Sequence, residues 1–231
     1  MTANPLQPRA LKILVTGFGA FPGARTNPTL AILRALARDR SFARLGIALH
    51  MRVLPVVYSR IEGALAEAMA QTQPDAVLHL GLAARRKIFT VESRAVNRIG
   101  ILRADAERRT SALPYAEHGG RFALQSRWPN QQLAVAMRRA GVGAAVSIDA
   151  GDYLCNQALY LTLAASEIPA GFVHVPRLRR NKPLCSTAAR APSLQQAAIA
   201  VASVLRIIAQ AARCQQRLTT CARPRMVIGV K

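Results

Sequence analysis

The chain has 231 residues, 51% of them hydrophobic, which is enough apolar material for one α/β domain with its own core and excludes a disordered polypeptide. Its net charge of +21 arises from 32 basic against 11 acidic residues, but these are spread along the chain with only short clusters (ARRK at 84–87, RLRRN at 177–181), and no helix-turn-helix, RNA-recognition or zinc-finger signature accompanies them, so non-specific attraction to polyanions is expected and specific nucleic-acid recognition is not. The apolar runs are too short and too often broken by charge to span a bilayer, and MTANPLQPRALKILVTGF lacks the pattern of a secretory leader, so a cytoplasmic setting is expected.

LKILVTGF (11–18) reads as a buried strand. Asn27 is a natural N-cap and Pro28 fits a first turn, which predicts a helix over 27–39 with Leu30, Leu33, Leu36 and Ala37 on one face. IALHMRVLPVV (47–57) is a second strand, SRIEGALAEAMAQ (59–71) a second helix and DAVLHLGL (75–82) a third strand. IFTVESRAVN (88–97) is extended or irregular, and 100–127, with few periodic apolar positions, reads as a loop with a hairpin. NQQLAVAMRRAG (130–141) is a helix closed by glycine. AAVSIDA (144–150) is a strand, YLCNQALYLTLAA (153–165) a helix and AGFVHVP (170–176) a strand. SLQQAAIAVASVLRIIAQAA (193–212) is a long helix. The alternation predicts a three-layer α/β/α sandwich over 11–212, with an N-terminal extension at 1–10 and a basic tail at 213–231.

Cys155, Cys185, Cys214 and Cys221 contain no C-x-x-C pair, and the His/Cys spacings match no zinc site, so reduced thiols and no metal are expected. Cys185, Cys214 and Cys221 are expected to be neither bridged nor catalytic.

Four stretches can carry chemistry, and each also has a plain structural reading. TGFGAFPGARTNP (16–28) follows a strand with Gly17, Gly19 and Gly23. The spacing is not G-x-G-x-x-G, and the helix begins about ten residues after the strand, too late for a dinucleotide turn. Phe18, Phe21 and Asn27 in this loop suit a small flat ligand with one amide; the loop can equally be structural, with its rings in the core. Glu92 is an acid in an apolar, strand-like stretch, or a surface partner for Arg94 or a nearby arginine. If Asp152 caps its helix, Cys155 stands at the third helical position, where free N–H groups and the helix dipole favour a thiolate and can hold an oxyanion; a lone cysteine is also a common core residue. His174 ends a strand just before Pro176, where open α/β folds place their ligands, although a core histidine fits there too. His50 and His79 lie within strands and His118 in the long loop.

Together, ILVTGFGAFPGARTNPT, VLHLGLAARRKIFTVESRAVN, SIDAGDYLCNQALY and GFVHVP resemble, in order across residues 11–180, the sequence blocks of the pyroglutamyl peptidase I (pyrrolidone-carboxylate peptidase) family of cysteine peptidases. The resemblance implies a phosphorylase/hydrolase-like sandwich with a mixed, mostly parallel sheet. It implies a triad of Cys155, His174 and Glu92, and a pyroglutamate pocket built with Phe18, Phe21 and Asn27. The substrates would be N-terminally pyroglutamylated peptides, with no cofactor, no metal and no membrane partner; the oligomeric state is left open. The chain departs from the family at Pro22, in GLAARRK, in a shorter segment between Cys155 and His174, and after Asn97, where Arg103 is a weak match for an arginine that assists the oxyanion. Two other functions stay open: a related domain acting on another small amide or nucleoside, and a basic nucleic-acid-binding protein with a decayed site.

Overall fold

β1 (Leu11–Phe18) sends alternate side chains to opposite faces, as the period of a strand requires: Leu11, Ile13 and Val15 enter one hydrophobic cluster, Leu14 and Phe18 another. The computed structural model to which this strand belongs describes residues 9–179 and 191–221. α1 (Pro28–Ala37) begins at Asn27, whose side chain accepts from the Thr29 N–H, with Pro28 in the first turn where no amide hydrogen is needed. A one-turn helix not predicted from the periodicity, α2 (Ser41–Arg44), leads into β2 (Ile47–Leu54). There follow α3 (Tyr58–Thr72), β3 (Ala76–Leu82), β4 (Phe89–Glu92), β5 (Arg94–Val96), β6 (Ala123–Gln125), α4 (Asn130–Arg139), β7 (Ala144–Ser147), α5 (Leu154–Ala165), β8 (Ala170–Val175) and α6 (Leu194–Cys221).

Six strands form one sheet in the order β2-β1-β3-β8-β4-β7. Every neighbouring pair is parallel except β4 and β8, which run antiparallel. α1, α4 and α6 bury Leu33, Leu133 and Leu205 on one face, while α3 and α5 bury Ile61, Leu65 and Leu159 on the other. This is the expected mixed, mostly parallel three-layer sandwich. β5 and β6 form a separate antiparallel pair enclosing the long loop. Two polar residues organise that loop, the buried Asp105 and the partly exposed Asn97. Asn97 accepts from the Ala116 and Glu117 amides, and Asp105 accepts from the Glu107 and Arg109 amides and from Tyr58 N–H. α5 and β8 are joined by only residues 166–169.

The basic segment after 212 does not leave the fold at that point. α6 continues to Cys221, and Arg213 donates to the carbonyls of Leu45 (2.5 Å) and Gly46 (3.3 Å). α6 is also long and apolar enough by composition to cross a membrane, with a mean hydropathy of 1.5 in an 18-residue window within Leu194–Arg217, contrary to the sequence expectation. Half of it is buried in the protein, and Ala197, Val201, Val204, Leu205 and Ile208 form a core stripe at helical spacing. Cys214 carries a free, exposed thiol; the expectations for Cys185 and for the Cys221 side chain lie outside the described residues.

Candidate active site

His174 is the penultimate residue of β8, and the antiparallel ladder with β4 sets Thr90 opposite His174 and Glu92 opposite Phe172. Side chains two apart on a strand share a face, so Glu92 and His174 are diagonal neighbours. The His174 ring Nδ1 and Glu92 Oε1 are 2.8 Å apart. A carboxylate only accepts, so Nδ1 carries the proton and Nε2 is left as an acceptor, the tautomer a general base needs. Glu92 is fully buried. Its Oε1 also accepts from Thr90 Oγ1 (3.0 Å) and is ion-paired with Arg86 Nη1, while Arg86 Nη2 donates to Asp149 O (2.6 Å). Burial pushes the Glu92 carboxyl up, but the hydrogen bond and charge of His174, with Ser147 and Arg86, bring it below its ordinary value. The arginine paired with Glu92 is a nearby one, Arg86, and the carboxylate is buried rather than at the surface; Arg94 donates Nε to Ile148 O (2.8 Å).

Cys155 is the second residue of α5, whose N-cap is Tyr153 in an extended conformation without a side-chain cap bond. The expected cap is thus corrected. The Asp152 carboxylate pairs with Arg103 Nη1 at 3.4 Å, which draws it away from the helix start, and Cys155 stands one position earlier than the third. The next residue, Asn156, is buried and ties α5 to the strand after Glu92: it accepts from Val96 N–H (2.9 Å) and donates to Val96 O (2.7 Å) and Arg98 O (3.0 Å). Burial pushes the Cys155 thiol up to about 12, with Arg103 opposing and Glu92 reinforcing the rise. Cys155 and His174 line one cleft of about 700 Å³. Among the described contacts the sulfur makes no hydrogen bond to His174 or Glu92, so the structure joins base and acid directly and sets the thiol beside them.

The same cleft is lined by Phe18, Phe21 and Asn27. Phe18 ends β1, buried, with its ring 6.4 Å from that of Phe172. Phe21 is half-buried, its ring 5.9 Å from Tyr153, in a loop tightened by paired bonds between Phe21 and Ala24. Asn27 turns its amide group back on its own loop: Nδ2 donates to Gly19 O (3.1 Å), and Oδ1 accepts from Thr29 N–H (3.2 Å) and Thr29 Oγ1 (2.9 Å). Its geometry is that of a brace. Of the remaining histidines, His79 is fully buried between Thr16 Oγ1 (2.7 Å) and Thr162 Oγ1 (2.9 Å), and burial lowers it to about 3, so it is a neutral core residue. Among the described residues no group of His, Cys, Asp or Glu is placed to hold a metal.

A profile of the family described as pyroglutamyl peptidase matches residues 11–214. The chain belongs to the pyroglutamyl peptidase family. Pyrrolidone-carboxylate peptidases from Pyrococcus furiosus and Streptococcus suis are each 34% identical to it, over 172 and 173 residues, covering 72% and 73% of this chain and 81% and 79% of theirs. The crystal structure of the pyrrolidone carboxyl peptidase from Thermus thermophilus is similar with a TM-score of 0.73 and 35% identity, over 84% of this chain and 99% of that one. That of Bacillus amyloliquefaciens pyroglutamyl peptidase I gives 0.75 and 25%, over 87% and 97%. The chain is thus a hydrolase of the pyroglutamyl peptidase I type.

Several residues of this peptidase's cleft escaped the sequence reading. Tyr153 joins the aromatic wall, in edge contact with Tyr58 (5.7 Å) and with the Arg103 guanidinium 4.6 Å above its ring; only its place in the nucleophile stretch hinted at this. Gly81, opposite His174 in the β3–β8 ladder, leaves room for the chemistry. A Cβ there would lie 2.8 Å from Cys155 Sγ and 2.6 Å from Phe172 Cζ. In a peptidase dependent on that sulfur, Gly81→Ala should lower kcat about 10- to 100-fold by displacing it, since about 1 Å of misplacement costs on that order. Single-turnover kinetics alongside circular dichroism would check this; unchanged kcat in a folded variant would mean the sulfur position is not critical.

Proposed function

We propose that this peptidase removes an N-terminal pyroglutamyl (5-oxoproline) residue from peptides by thiol catalysis, with Cys155 as nucleophile, His174 as base and then acid, and Glu92 as the group that orients the imidazole. The observation that carries the reading is the bond from His174 Nδ1 to the buried Glu92 carboxylate, on the wall of the cleft that also holds Cys155.

His174 Nε2 takes the thiol proton as the sulfur attacks the carbonyl joining 5-oxoproline to the next residue. Burial favours the protonated thiol, so the proton passes to His174 as the sulfur attacks. Glu92 stabilises the imidazolium so formed. The negative oxygen gathers against the first-turn N–H groups of α5, with the helix dipole behind them, and the Arg103 charge that favours the thiolate favours this oxyanion as well. His174 returns its proton to the leaving amine, the C–N bond breaks, and a thioester remains. Water, deprotonated by His174, attacks the thioester and frees pyroglutamate and the thiol. The lactam is flat and uncharged, and Phe18, Phe21 and Tyr153 offer it aromatic walls. The free Cys155 and Cys214 thiols suit a reducing compartment, and we place the enzyme in the cytoplasm.

The direct test is release of a chromogenic amine from its pyroglutamyl derivative by the purified protein. Recognition is tested separately. Phe21→Ala should cost about 1–3 kcal/mol of transition-state binding, roughly 5- to 150-fold in kcat/KM, while alkylation of Cys155 by a small reagent keeps its rate. Undiminished peptidase activity would make the aromatic loop structural.

A further inference from the structure

Among the described residues, four arginines and no carboxylate line the cleft: Arg85, Arg86, Arg103 and Arg177. Two of these are committed. Arg86 is ion-paired with Glu92, and Arg103 lies 3.4 Å from Asp152 and over the Tyr153 ring. Arg85 and Arg177 are exposed, and neither is joined to an acid among the described residues. Their placement follows from the sheet. β3 and β8 are parallel neighbours, with Leu82 opposite Val175, so Arg85 and Arg177 stand three and two residues past adjacent strand ends, next to His174. Arg103 stands at the nucleophile's side of the same opening.

We infer that Arg85 and Arg177 form an anion-binding rim for the leaving peptide, so that the enzyme favours pyroglutamyl peptides whose next residues are acidic, an inference that rests on the peptidase reading above. The chemistry of the substrate agrees with this. Cyclisation to 5-oxoproline removes the N-terminal ammonium, so a pyroglutamyl peptide brings no positive charge against these guanidinium groups. The aromatic walls take an uncharged ring, and uncommitted positive charge at their mouth has no partner in the lactam. Carboxylates on the residues after it, or the terminal carboxylate of a dipeptide, supply one, and guanidinium groups match carboxylates with paired hydrogen bonds. Such a rim acts chiefly through encounter and orientation and is screened by salt.

The test uses three C-terminally amidated tripeptides, pyroglutamyl-Glu-Ala, pyroglutamyl-Gln-Ala and pyroglutamyl-Lys-Ala, with release of free pyroglutamate measured at low and high salt. At low salt the Glu peptide should exceed the Lys peptide in kcat/KM by about 5- to 20-fold, with Gln between them, and the ratio should fall towards one at high salt. In the double variant Arg85→Ala/Arg177→Ala the low-salt ratio should fall to about two or less. The ratio is read within each protein, so a reduced active fraction cancels. Arg34→Ala/Arg38→Ala, two exposed arginines of and beside α1 that do not line the cleft, should keep the wild-type ratio, which separates the rim from net charge. Equal or Lys-favouring turnover in the wild type, or a ratio that survives loss of Arg85 and Arg177, would overturn this inference alone. Absence of turnover on all three peptides would remove the peptidase reading, and this inference with it.

Discussion

Cys155→Ala should abolish pyroglutamyl amide hydrolysis, with kcat falling by about 10⁴-fold or more. Cys155 is the only thiol among the described residues that line the cleft, and Cys214, the other described free thiol, is exposed on α6. The variant should fold, since removing one sulfur from the wall of an open cleft leaves only a small gap. Cys155→Ser is the sharper control: it keeps the shape but offers a hydroxyl far less acidic than a thiol, and should be nearly as inactive. Pyroglutamate release, measured with thermal melting on the same preparations, decides the matter. Substantial turnover by a folded Cys155→Ala protein would end the nucleophile assignment.

Glu92→Gln should have the second largest effect, lowering kcat about 10²- to 10⁴-fold with little change in KM. A carboxamide can present its NH₂ to His174 Nδ1. The ring proton then moves to Nε2, and the group that should accept the thiol proton no longer can. The substitution also strips Arg86 of its charged partner, a change that costs about 3–5 kcal/mol where both groups are buried and less here because Arg86 is partly exposed. The pH dependence separates this loss from a packing defect. The folded-state pKa of Glu92 lies below its ordinary value, so the charged carboxylate stabilises the fold fully above about pH 4.3, and that contribution fades as pH falls through the folded-state value. The stability gap between wild type and Glu92→Gln in urea titrations should therefore be widest near neutrality and close in acid. A gap constant from pH 7 to pH 3 would contradict the carboxylate's role.

Most of the fold was legible because the central strands read as short apolar runs and several helices carry one apolar stripe. LKILVTGF alternates between two cores, and the helix at Asn27–Pro28 announces its own cap. The position of His174 was legible for the same reason, since a strand closed by proline in an α/β fold ends at the ligand edge. What the sequence concealed was pairing between distant segments. Which arginine would meet Glu92 was not legible: Arg94 is two residues away, but the chain leaves the main sheet after Glu92 and β5 pairs with β6, so Arg86 takes that place. Asp152 looked like a cap, but Arg103, 49 residues earlier, holds its carboxylate. The end of the last helix was misplaced because the anchoring bonds of Arg213 go to Leu45 and Gly46, a contact that no local periodicity reports. Gly81 and Tyr153 matter only through what packs against them across strands and loops.

The antiparallel seam between β4 and β8 has a consequence for how this chain tolerates insertion and deletion. Glu92 and His174 are held by one ladder, so their separation is fixed by strand pitch. A single-residue indel inside either strand would flip one side chain to the opposite face and cut the two apart. Cys155 belongs to no such ladder. It is delivered by α5, which Asn156 fastens to Val96 and Arg98 on its own account. The linker from α5 to β8 therefore carries no geometric information between thiol and imidazole, and it can shorten to the four residues found here without moving either group. Length variation should accordingly accumulate at that linker and be purged from the two strands, so a library of one-residue deletions scanned across 86–96 and 164–176 would sort sharply into tolerated and lethal positions along that line.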